Sequence, residues 1–132
     1  MAAVIIAIVL AGCGSAEHGA GGSSLGVTER DFKITAPKQV AAGEVVLRVH
    51  NLGPDNHELI VAQVPSGRLP LRADGITLNE ERLEKREVGE LEPGPPGALR
   101  TLHLKLAPGR YVMFCNMAGH FLGGMHSELV VQ

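Results

Sequence analysis

Between Asp31 and Gln132 apolar side chains return at every second position in a series of short runs, the spacing of strands that bury one face. Asp31–Thr35 alternates and is ended by Ala36-Pro37. In Glu44–His50, Val45, Leu47 and Val49 share one face while Val46, Arg48 and His50 share the other, so His50 is expected to point outward. The residues Asn51-Leu-Gly-Pro-Asp-Asn56 are those of a turn, and His57–Val64 follows as a third strand with His57, Leu59 and Val61 on one face. Near the C-terminus, Leu102, Leu104 and Leu106 alternate with Thr101, His103 and Lys105. Pro108-Gly109 then turns into Arg110–Cys115, where Tyr111, Met113 and Cys115 lie together, and Ser127–Gln132 closes the sheet.

One stretch breaks this rhythm. Residues 65–98 contain the Pro93-Gly-Pro-Pro-Gly97 loop and the charged run Asn79–Glu87, which suits a short surface helix. The stretch reads as a crossover between two sheets, with an edge strand near Glu87–Leu91. Seven or eight short strands with one helical excursion predict an all-β fold, a Greek-key antiparallel β-sandwich over residues 27–132.

The first residues do not belong to that domain. Ala2–Leu10 is wholly apolar, and its nine residues, at about 1.5 Å each in a helix, fall well short of a roughly 30 Å hydrocarbon core. Residues 1–12 therefore read as a signal peptide. Leu10-Ala11-Gly12-Cys13 resembles a bacterial lipobox, in which Cys13 carries the lipid and becomes the first residue of the mature chain. Met1-Ala2-Ala3 lacks the usual basic residues, so the true start is expected upstream. Residues 13–26, rich in Gly, Ser and Ala, read as the lipidated Cys and a flexible tether. The expected location is extracytoplasmic, on a bacterial membrane.

Composition narrows the partners. With 12 basic and 14 acidic residues the net charge is -2, which argues against a nucleic-acid surface. Of the two cysteines, Cys13 is accounted for by lipid and Cys115 lies in a loop rich in metal-binding residue types, so no disulfide is expected. No Ser/His/Asp set, paired acids or phosphate loop is evident, and the chain does not read as an enzyme.

That loop carries the candidate chemistry. Cys115, His120 and Met125 are spaced Cys-x4-His-x4-Met with glycines between them, and His57 opens a strand of the same sheet. Two imidazoles, a thiolate and a weak axial thioether are the donors of blue-copper electron-transfer sites, since soft sulfur suits Cu(I) and imidazole suits both oxidation states. His57, Cys115, His120 and Met125 are the candidate ligands of one copper ion. Met113 and Met117 read as packing residues.

The runs Asn51–Glu58, Pro108–His120 and Gly123-Gly-Met125 resemble the cupredoxins, the small blue copper proteins that include plastocyanin, azurin and rusticyanin. The resemblance covers residues 27–132. It implies a single type 1 copper at the four matched positions and one-electron transfer through the edge of His120 to redox proteins, which would dock on a patch formed by Phe121 and Leu122. A monomer is expected. Several cupredoxins brace the site with an Asn after the first ligand His; this chain has Glu58 there, which leaves Glu58 or Asn56 for that task. Two other functions compete with electron transfer. One is a lipoprotein that stores or delivers copper, for which Met113, Met117 and His126 would be surplus soft ligands; the other is a metal-free binding module.

Overall fold

The computed structural model describes residues 22–64 and 69–132. The signal peptide, Cys13 and most of the expected tether lie outside the described residues. Among the described residues, nine strands and one short helix follow in order: β1 Ser23–Arg30, β2 Lys33–Thr35, β3 Gln39–Val40, β4 Gly43–Asn51, β5 His57–Gln63, α1 Glu80–Leu83, β6 Glu87–Gly94, β7 Leu99–Leu106, β8 Gly109–Phe114 and β9 His126–Val131. They form a four-stranded sheet, β2-β1-β4-β7, facing a five-stranded sheet, β3-β9-β8-β5-β6. Among the described residues, no helix is long and apolar enough to cross a membrane.

The sandwich is as expected, but its sheets are mixed rather than antiparallel: β1 runs parallel to β4, and β3 parallel to β9. Alternation sets which face of a strand is buried and carries no information on strand direction. β1 also starts at Ser23, inside the stretch read as tether, because Leu25 and Val27 face the core. The expected strand Asp31–Thr35 is shortened to Lys33–Thr35, with Asp31 and Phe32 forming the turn between β1 and β2. Phe32 takes a left-handed backbone conformation, φ 61°.

Alternation in β4 does what the sequence dictates: Val45, Leu47 and Val49 are buried between the sheets with Val27, Leu59, Val61, Leu104, Met113, Cys115 and Met125. β5 and β8 are buried on both faces. Their other face, made by Ile60, Ala62, Val112 and Phe114, packs with Leu78 and Leu83 from the excursion after β5. Continuous apolar runs are what a strand covered on both sides requires. The excursion is thus a cover over the outer face of one sheet. Its first part is not the crossover: β6 returns beside β5 in the same sheet, and after β5 the passage to the other sheet comes at Pro95–Ala98, on the way into β7. Asn79 caps α1 by accepting from Arg82 N.

Candidate metal centre

Strand polarity brings the chemistry to one pole. β4 ends and β5 begins there, so His57 sits at that end, and β8, antiparallel to β5 with Ile60 opposite Phe114, delivers Cys115 to it. The loop from Cys115 to Met125 folds back on itself through His120 N to Met117 O at 2.9 Å and Met125 N to His120 O at 2.9 Å, and Cys115 N donates to Met125 O at 3.2 Å to close it. Gly119 and Gly124 take positive φ of 81° and 105°, which only glycine adopts without strain.

The structure brings three of the four expected donors together: one donor atom each from His57, Cys115 and His120 lie within 4.8 Å of one another, all three residues buried. Cys115 Sγ is 3.6 Å from His120 Nδ1. Met125 is wholly buried in the same cluster as Cys115, its backbone tied to both Cys115 and His120. His120 alone of the four reaches solvent, at 7% exposure against 0% for the others.

Electrostatics follow from burial. Desolvation holds His57 below the usual imidazole pKa, helped by the neighbouring His120 and opposed by Asp31, so its ring is neutral and its lone pair free near pH 7. Desolvation also pushes the Cys115 thiol up, while the backbone N–H groups of Met117 and Glu58 stabilise its thiolate. A thiol of this kind ionises when a metal takes the proton's place, so metal uptake releases a proton. Both nitrogens of buried His57 lack an aligned hydrogen-bond partner, although Nε2 lies 3.1 Å from Asp31 Oδ1. The separation suits a bond but its direction does not, so the contact is one of charge with dipole. An orphaned nitrogen in a buried ring beside a thiol and a second imidazole is what a metal ligand looks like without its ion. This soft, mixed N/S set fits copper.

The question of which residue braces the site has an answer in hydrogen bonds. Glu58 gives its N–H to the Cys115 sulfur, and its carboxylate accepts from Asn116 N at 2.8 Å. Asn116 in turn accepts from Leu78 N and donates to Leu78 O and Glu80 Oε1, pinning the excursion to the ligand loop.

Sequence reasoning missed Asn116, Asp31, Asp55 and Glu29. The first could have been suspected from its place beside Cys115. Asp31 and Asp55 come from turns, where charged residues are ordinarily solvated, and nothing local marks them. Glu29 is wholly buried between the sheets and paired with Arg100 of β7; its signal is its place in phase with Leu25 and Val27. Phe121 does not flank His120 as an exposed patch: its ring packs against Phe114 and His126. Leu122 is exposed, and the aromatic ring beside His120 belongs to Phe32, 5.5 Å away centroid to centroid and half-exposed.

Two layers of β-strands with His, Cys and His gathered at one pole define the cupredoxin fold, and that is the fold of this chain. It is similar to auracyanin A, a "blue" copper protein from Chloroflexus aurantiacus, with TM-score 0.64 and 17% identity over 85% of this chain and 100% of that one. Rusticyanin from Thiobacillus ferrooxidans superposes with TM-score 0.61 at 15% identity, covering 85% and 79%. An azurin from Methylomonas sp. strain J gives 0.60 at 17%, covering 85% and 99%. No protein-family model and no curated protein matches the chain.

Proposed function

We propose that this protein is a one-electron carrier in which His57, Cys115 and His120 would hold a single type 1 copper, with Met125 as a fourth, weaker donor. The observation that carries the reading is the convergence of two imidazoles and a thiol within 4.8 Å at the pole of a sandwich shared with auracyanin, rusticyanin and azurin. Copper, when bound, supplies the one-electron couple between its two oxidation states. The chain's own part is to keep water from three of the donors, to stabilise the thiolate by two backbone N–H groups, and to leave one imidazole edge near solvent. Four protein donors leave no open position for a substrate, so no catalytic turnover is expected.

In this reading electrons leave by the edge of His120, between Phe32 and Leu122, and redox proteins dock on that pole. The domain works outside the cytoplasm, held to a membrane by lipid on Cys13. Copper storage or delivery is the weaker alternative, since Met113 is wholly buried in the core and not available as a relay ligand.

The test is the visible spectrum of the purified domain on adding one equivalent of Cu(II). An intense thiolate-to-copper band with one copper per chain is the expected result; a colourless protein that yields its metal readily to a chelator would favour storage. Met125→Leu should keep the ion and the colour while raising the reduction potential, because a weak donor to Cu(II) is lost. Voltammetry of the two proteins checks it.

A further inference from the structure

The turn between β1 and β2 reaches over the metal pole. Asp31 Oδ1 lies 3.1 Å from His57 Nε2 and also accepts a hydrogen bond from Asp55 N at 3.2 Å. His57 is wholly buried and the Asp31 carboxylate is 23% exposed, so this charge faces a ring that solvent does not reach. Phe32, next in the chain, stands against the His120 ring and fills the space over Gly123, where a side-chain carbon would collide with it. The turn is therefore fixed at both residues. A second carboxylate, Asp55, is 4.0 Å from His120 Nε2, but it is 63% exposed.

We propose that Asp31 is a positioning residue of the metal centre: its carboxylate engages His57 at Nε2, presents the opposite nitrogen to Cys115 and His120, and favours the more highly charged Cu(II) over Cu(I). A negative charge beside Nε2 favours the tautomer that carries its proton there, which leaves the opposite nitrogen to the metal and raises that nitrogen's basicity. The charge acts more strongly on a divalent than on a monovalent ion, and more strongly through protein than through water. Asp55, longer in reach and largely solvated, contributes little by the same reasoning. The inference rests on the copper reading above.

Asp31→Asn tests it, because an amide oxygen still accepts from Asp55 N while the charge is gone. Cu(II) affinity should fall about 10- to 100-fold and Cu(I) affinity much less, and each tenfold difference between the two raises the potential by about 59 mV. The melting temperature of the metal-free protein should be unchanged, and Asp55→Asn should shift the potential far less. Equal losses for both oxidation states, leaving the potential where it was, would mean that Asp31 only shapes the turn, and the proposal falls. Should Asp31→Asn fold poorly, Asp31→Glu against Asp31→Gln compares charge at one length, and equal potentials there overturn it. Wild-type protein without a copper–thiolate band would overturn both readings; wild-type protein with the band and an indifferent Asp31 overturns this one alone.

Discussion

Cys115→Ser abolishes the visible band expected of the copper-loaded protein, while the domain still folds. The thiolate is the only soft anionic donor in the cluster, and an alcohol neither ionises readily nor matches the affinity of copper for sulfur. The two remaining imidazoles can still hold Cu(II) weakly, so residual metal with no intense colour is the signature. Folding survives because serine is nearly isosteric and the N–H groups of Met117 and Glu58, which face the sulfur, can donate to its oxygen. A stability loss of about 1–3 kcal/mol, from a hydroxyl placed among apolar neighbours, is the expected cost. Absorption spectra and urea unfolding of the two proteins side by side separate these effects, and an intact band in the serine protein would remove Cys115 from the ligand set.

The second large effect concerns Glu29. Burial pushes its carboxyl from 4.5 up to about 7, and its ion pair with Arg100 recovers only part of that cost. One of its oxygens, Oε1, has no partner. The folded state therefore holds a proton that the unfolded chain has released between those two pH values. Stability that is present below pH 4.5 is lost as pH rises and is gone above about 7. At 1.36 kcal/mol per pKa unit the loss is on the order of 3 kcal/mol. Glu29→Gln should remove this slope and leave the metal-free protein more stable than wild type at pH 8 by a similar amount. Urea denaturation across pH 4.5–8 measures the difference between the two proteins, in which the other titrating groups cancel. A wild-type slope that persists in Glu29→Gln would place the titration elsewhere.

How much of this could be read from the chain depends on distance along it. The Cys-x4-His-x4-Met loop is local, so its residues and their spacing were visible, and His57 was found because it opens a strand whose partner β8 carries Cys115. The buried face of β4 was legible because a half-buried strand alternates, although the strand runs one residue further at each end than the alternation marks. The excursion was not, since Leu78 and Leu83 look like stray apolar residues until the outer face of β5 and β8 is seen to need a cover. Parallel pairing of β1 with β4 was equally hidden, and Glu29 with it. A carboxylate in phase with core positions looks like an end of a strand, and the Arg100 that meets it is far away in sequence. The turn aspartates were missed for the same reason: what makes Asp31 unusual is the buried ring it faces, and that ring is brought by another strand.

β1 also fixes an orientation. It enters the sheet with Ser23 beside Val45 and leaves it with Glu29 beside Asn51, so the point where the domain joins whatever precedes Gly22 is about 20 Å, six strand steps, from the pole of the imidazoles. An attachment made through that end would leave the pole of His57, Cys115 and His120 on the far side of the domain from the point of attachment.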